Sequence, residues 1–205
     1  MDRFDLSLYH AINGLAGHNA VLDDIMRFFA QYALEIYGLL FIVAWFALPK
    51  PDLRNRHALV MAGLAGILAL IINVIIAHIW YRSRPFVVLS HGSYQQLVPH
   101  SVDSSFPSDH ASGSWAFAGG SWGRAPKWIQ ILFTAIAIVV MFARVYVGVH
   151  WPTDVLASVL VGAIAGQLIQ LVSKFVYPIT SWVAHLFRFG LPTSKVAGDN
   201  GTMNH

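Results

Sequence analysis

Arg144, His150 and Asp154 stand at intervals of six and four residues late in the chain. A helix starting near His150 would bring its ring and the Asp154 carboxylate onto one face, because helical positions four apart are neighbours. A carboxylate accepting from one imidazole nitrogen fixes the tautomer and leaves the other nitrogen free to attack. It also stabilises the cationic ring that forms. Two other stretches carry matching groups: Tyr81-Arg82-Ser83-Arg84-Pro85-Phe86 and Phe106-Pro107-Ser108-Asp109-His110. Arg82, Arg84 and Arg144 offer planar donor forks suited to phosphate oxygens. Ser108, with the free N–H groups of a helix starting there, adds an anion cradle. His110 and His150 are the proton-donor and nucleophile candidates. The chemistry this set describes is phosphoryl transfer to imidazole followed by hydrolysis by water. Metal-assisted phosphatases gather carboxylates. These loops hold only Asp103, Asp109 and Asp154, and each cluster is dominated by cations. No metal and no other cofactor is expected, and the arginines take over charge neutralisation.

The elements that must position these groups are membrane helices. Of the 205 residues, 56% are hydrophobic and 11% charged, against about 45–50% and about 25% in soluble domains. Several apolar runs approach or exceed the ~18–20 residues that cross a ~30 Å hydrocarbon layer. The expected fold is all-α: a polytopic bundle of about five transmembrane helices, with interfacial or partial helices at the termini. The spans fall near 33–48, 57–80, 108–122, 128–143 and 152–172. The third is short and rich in Ser, Ala and Gly, which allow close backbone approach, so it belongs inside the bundle. Pro152 suits a first helical position. Residues 1–32 read as an interfacial segment, 33–189 as the membrane catalytic domain, and 190–205 as a disordered tail. A stretch near 175–189, interrupted by Pro178, is interfacial or a partial sixth span. Asp2 and Asp5, without a basic-then-apolar opening, predict no cleaved signal peptide.

All three clusters fall on one side of this plan. One side holds Lys50, Arg54, Arg56, Arg124, Lys127, Lys174, Arg188 and Lys195; the other holds Arg3, Arg27, Arg82, Arg84 and Arg144. The excess of basic residues marks the first side as cytoplasmic and places the clusters outside. Nothing in the small net charge of +3 points to nucleic acid. The absence of cysteine excludes disulfides and thiolate metal sites. Asn73 is expected to bond between helices, Asp109 to complement a helix N-terminus, and Trp80, Tyr81 and Phe86 to anchor at the interface. His91 and His100 lie in the outer connection.

Arg84-Pro85, Pro107-Ser108-x-His110 and Arg144-x5-His150-x3-Asp154, in that order, resemble the three-part signature of the type 2 phosphatidic acid phosphatase superfamily, across roughly residues 30–175. Within it, the 81–86 segment and the five-span plan are similar to the BcrC-type undecaprenyl-diphosphatases. That resemblance implies removal of the terminal phosphate of undecaprenyl diphosphate at the outer leaflet of the bacterial plasma membrane. It further implies recycling of the lipid carrier for cell-wall peptidoglycan synthesis, and bacitracin resistance. By the same resemblance His150 is the nucleophile, Asp154 its partner and His110 the acid that protonates the leaving group. Arg84, Ser108 and Arg144 bind phosphate. One position departs: the family's first motif opens with Lys seven residues before its Arg-Pro arginine, and here that residue is Ala77. Arg82 is expected to supply the charge. The partner is a membrane lipid. The same chemistry on phosphatidylglycerophosphate, phosphatidate or a shorter isoprenoid diphosphate remains open. A membrane transporter with an anion site would instead show broken helices and internal repeats at mid-membrane. This chain has no repeat, and its polar clusters sit at span ends.

Overall fold

Residues 3–190 are described by the structure, a computed structural model; the tail expected at 190–205 and Lys195 lie, from 191 on, outside the described residues. The described chain is helical: α1 Arg3–Asn13, α2 Ala20–Gln31, α3 Ala33–Ala47, α4 Leu53–Ile79, α5 Pro85–Val88, α6 Asp109–Ser121, α7 Lys127–Tyr146, α8 Pro152–Leu168 and, after a 3-10 turn, α9 Ser173–Leu186. Helix starts follow local chemistry. Asn19 accepts from the Val21 and Leu22 N–H groups ahead of α2, Asp52 accepts from the Asn55 N–H at α4, and Pro152 opens α8. The fold is a membrane helical bundle. Leu53–Ile79, Lys127–Tyr146 and the run Pro152–Leu186 are each long and apolar enough to cross a membrane. α2 and α3, bent by 75° at their junction, qualify together as a fourth span. The stretch expected as a separate last helix is thus continuous with the fifth span despite Pro178.

α6 is the exception in length. Its 13 residues cover only about 20 Å, and most are buried against α4, α7 and α8. Its small side chains explain the position. A Cβ on Gly162 of α8 would lie 2.5 Å from Trp115 Cβ and 2.6 Å from the Ala116 nitrogen. A Cβ on Gly166 would lie 2.5 Å from the Gly120 nitrogen. α6 and α8 therefore meet backbone to backbone. Gly162→Ala is expected to destabilise the fold by about 1–3 kcal/mol through overpacking, read as a lower unfolding midpoint in detergent. Gly38→Ala, where an added Cβ meets nothing within 4 Å, should leave that midpoint unchanged or raise it.

The N-terminal helices brace the two connections that carry the clusters. The Asn13 amide donates to the Gln95 carbonyl at 2.7 Å and the Tyr146 carbonyl at 2.8 Å, and accepts from the Gln95 N–H at 2.8 Å. The Tyr146 hydroxyl donates to Asp23 Oδ1 at 2.7 Å. Beside it, Gly148 takes φ +82°, and any Cβ there would lie 2.2 Å from the Gln95 carbonyl oxygen. Only glycine fits this backbone shape in that space. The loop 147–151 is so pinned between α1 and the 89–108 connection.

Candidate active site

His150 stands on the loop between α7 and α8, 2% exposed. Its Nδ1 is 2.8 Å from the Ser105 carbonyl oxygen. A carbonyl can only accept, so Nδ1 carries the proton and Nε2 keeps its lone pair. Nε2 faces two donors, Arg84 Nη1 at 3.2 Å and Arg144 Nη2 at 3.3 Å. Burial, reinforced by the charges of Arg144 and Arg84, holds the imidazole pKa well below its ordinary value. The ring is neutral, with its unprotonated Nε2 directed at the guanidinium pair.

Asp154 holds this ring in a different way from the helix-face pairing the spacing predicted. Trp151 is the N-cap of α8 and Pro152 its first residue, so His150 precedes the helix and the four-residue rule does not govern it. Asp154 folds back onto the helix start, accepting from the Trp151 N–H at 2.8 Å. Its Oδ2 is 3.6 Å from His150 Nδ1, while the Ser105 hydroxyl donates to that same oxygen. Ser105 therefore bridges the pair: its carbonyl accepts from the Nδ1–H and its hydroxyl donates to the carboxylate.

Arg82 stands behind the imidazole. Its Nη1 donates to Asp154 Oδ1 at 2.6 Å and Thr153 Oγ1 at 2.7 Å, and its Nη2 pairs with Asp5. Asp5 also accepts from the Thr153 N–H at 2.9 Å. The residue expected to replace the lysine absent at Ala77 thus directs its donors to two carboxylates, whereas Ala77 itself lines the cavity in front of His150. Physically, a guanidinium beside two buried carboxylates is held there by their charge.

That cavity, about 250 Å³, is shared by Arg84, Arg144, His110, His150, His100 and Asp109. Arg84 is fixed by Asp103 Oδ1 at 2.7 Å and by the Val149 carbonyl at 2.8 Å. Arg144 is 2% exposed. Its Nη1 donates to the Ala30 carbonyl at 2.7 Å, and its Nε–H is buried without a partner. His110, in the first turn of α6, lies beside the Gln31 backbone. Asn73 bonds between helices as expected, donating to Asp109 Oδ1 at 2.8 Å and accepting from the Ser112 hydroxyl at 3.2 Å. Ser108 makes no side-chain cap. It is fully buried, its N–H donates to the Ser158 hydroxyl at 3.0 Å, and its own Oγ has no partner.

Asp5, Ser105 and the Ala30 carbonyl escaped the sequence reading as parts of the site, whereas His100 and Asp103, named there in the outer connection and candidate loops, line the cavity. None lies in a local pattern with the three clusters, and a backbone carbonyl has no sequence signal. An acidic residue on a membrane-protein terminal helix, as Asp5 is, was the one available hint. Asp5→Asn is expected to lower kcat on the order of 10–100-fold with little change in KM, the usual cost of losing a group that orients a reacting residue. An equal loss in Asp5→Asn and wild type after heat challenge, with unchanged kcat, would remove Asp5 from the assembly.

A family model described as the PAP2 superfamily matches residues 58–177, a segment that contains all three clusters. The chain belongs to the PAP2 superfamily. It is 35% identical to "Undecaprenyl-diphosphatase BcrC" of Bacillus subtilis over 182 residues, 88% of this chain and 90% of that protein. It is 28% identical to "Putative undecaprenyl-diphosphatase YbjG" of Escherichia coli over 202 residues, 95% of this chain and 97% of that protein. The crystal structure of Aquifex aeolicus LpxE shares the fold, with TM-score 0.68 and 22% identity over 82% of this chain and 96% of that one. As a PAP2 member with this helical bundle, the chain is a membrane protein and a lipid phosphatase, a hydrolase. Asp5, Asn13 and Ala30 lie outside the matched segment, so part of the scaffold around His150 comes from the N-terminal helices.

Proposed function

We propose that this phosphatase removes the terminal phosphate of undecaprenyl diphosphate through a phosphohistidine on His150. The observation that carries the reading is the neutral His150 ring whose Nε2 lone pair meets two guanidinium groups on a cavity wall. A terminal phosphate entering between Arg84 and Arg144 would present its phosphorus to Nε2. Nε2 attacks, the bond from phosphorus to the bridging oxygen breaks, and undecaprenyl phosphate leaves with a proton from His110. Water, deprotonated by His110, then cleaves the phosphorus–nitrogen bond and frees phosphate. Asp154, Ser105 and Arg82 hold the ring and offset the positive charge it gains. Ser108 Oγ and Arg144 Nε are buried polar groups without partners, and buried polar groups normally have one; a phosphate oxygen would complete Arg144, which lines the cavity, whereas Ser108 sits behind its Pro107–Asp109 wall. The names of the relatives support the diphosphate substrate, and the distribution of basic residues supports an outward-facing site. In that setting the product re-enters the cell-wall lipid cycle, and its turnover gives bacitracin resistance.

Phosphate release by purified protein tests the reading. Undecaprenyl diphosphate, phosphatidylglycerophosphate and phosphatidate are compared in detergent with EDTA present. Undecaprenyl diphosphate is expected to turn over fastest, with EDTA without effect. Preference for a glycerophospholipid would overturn the substrate, and inhibition by EDTA the metal-free mechanism. Since the chain has no cysteine, Val102→Cys, at a position 69% exposed, gives a single thiol. Labelling by an impermeant maleimide in intact cells is expected for an outward site; labelling only after lysis contradicts it.

A further inference from the structure

The His150 cavity and an apolar groove lie along the same face of α4. Gly63, Ile67 and Leu70 line a groove of about 430 Å³ between α3 and α4, while Val74 and Ala77 line the His150 cavity. These five positions advance by four, three, four and three residues, which is one stripe on one helical face. From Gly63 to Ala77 the stripe runs roughly 21 Å, a large part of a ~30 Å hydrocarbon layer. The opposite wall also begins at the site. α3 follows the bend whose Ala30 carbonyl holds Arg144 and whose Gln31 backbone meets His110, and Leu34 and Gly38 continue it along the groove. Through Phe41 and Val60 the groove passes into a second hollow of about 270 Å³ against α9. Every residue lining the groove is apolar or glycine.

We propose that this α3–α4 groove holds the hydrocarbon tail of the substrate, a single long isoprenoid-type chain, while its diphosphate lies against His150. The proposal rests on the phosphatase reading above. The shared face of α4 selects this occupant: a chain bonded to a diphosphate at Nε2 must leave the cavity, and the groove begins one helical turn away, at Leu70 after Val74, and leads into the hydrocarbon layer. One stripe between two helices accommodates one chain. Glycine at 38 and 63 leaves the width open. An added Cβ at Gly38 meets nothing within 4 Å, so a larger side chain there enters the groove without disturbing a packed neighbour. Leaving glycine at a helical position also favours the helix.

The test compares Gly38→Leu and Gly38→Phe with wild type on undecaprenyl diphosphate and on farnesyl diphosphate in mixed micelles. The readout is the ratio of the two KM values. Obstruction is expected to raise KM for the long chain relative to the short one, on the order of tenfold for Phe and less for Leu. Ile131→Phe, at a position on α7 that is 68% exposed, should leave the ratio alone. An unchanged ratio, or an equal loss on both substrates, overturns the groove assignment and would mean that bulk lipid or a second copy covers this face. Turnover of either diphosphate by wild type judges the phosphatase reading separately.

Discussion

Replacing His150 with alanine is expected to abolish turnover and to leave no phosphoprotein. The ring presents an unprotonated lone pair to Arg84 and Arg144 on the cavity wall. Removing a covalent nucleophile costs about 10⁴-fold or more in kcat where it has been measured. The measurement is phosphate release together with rapid quench on radiolabelled lipid diphosphate. Wild type should trap an acid-labile, alkali-stable phosphoprotein, and His150→Ala none. Activity in the variant above a hundredth of wild type would eliminate His150 as nucleophile. The pH profile gives a second reading. His150 in the fold takes up a proton only well below the ordinary histidine value, which is ~6.5 when unfolded. The free nitrogen therefore persists as pH drops through 6.5, and single-turnover phosphoenzyme formation should not fall with a midpoint there. The unfolded ring does bind a proton in that range. This contribution to stability is thus full above about pH 6.5 and declines as pH falls from there toward the folded value.

Arg144→Ala is expected to lower kcat/KM by about 10²–10³-fold, the cost of one preorganised donor to a developing charge. The argument is one of unbalanced charge. Arg84 is paired with Asp103, whereas among the described residues no carboxylate lies within ion-pair distance of Arg144, and its Nε–H is unpartnered. Two guanidinium groups that converge on a neutral ring repel each other and attract an anion. Millimolar inorganic phosphate should therefore raise the unfolding midpoint of wild type and not that of Arg144→Ala. Arg144→Lys should fail to restore activity. The fork uses Nη1 for the Ala30 carbonyl and Nη2 toward Nε2, and one ammonium cannot occupy both places. Full rescue by lysine, or equal stabilisation of both proteins by phosphate, would show that Arg144 acts only as distant charge.

The parts of the site legible in the sequence were those whose chemistry is local. Arg84-Pro85 opens α5, Ser108-Asp109-His110 opens α6, and Arg144 through Asp154 runs from the last turn of α7 across the 147–151 loop into the first turn of α8. Their convergence needed only that one end of each helix face the same way. The α6 composition also announced a buried helix, because glycine and alanine in such number permit contacts that larger residues forbid. What stayed hidden depends on long-range closure. Ser105 reaches His150 across 45 positions, Arg82 reaches Asp5 across 77, and Arg144 reaches the Ala30 carbonyl across 114. No periodicity records such contacts. Arg82 is the instructive case: an arginine beside a phosphate motif reads as a phosphate ligand, and only the position of Asp5 shows where its charge is used. The direct His150–Asp154 pairing was close in space and different in detail, because the helix begins two residues after His150, at Pro152.

The Asp5–Thr153 contact joins residues 148 positions apart, almost the first and nearly the last elements of the bundle. A ribosome delivers α1 long before α8 exists, and segments made early tend to fold first. For most of synthesis the Asp5 carboxylate waits at the membrane boundary without Thr153. Only when α8 has inserted can the bracket behind His150 close. A chain released before α8 is made therefore lacks the Asp5–Thr153 contact.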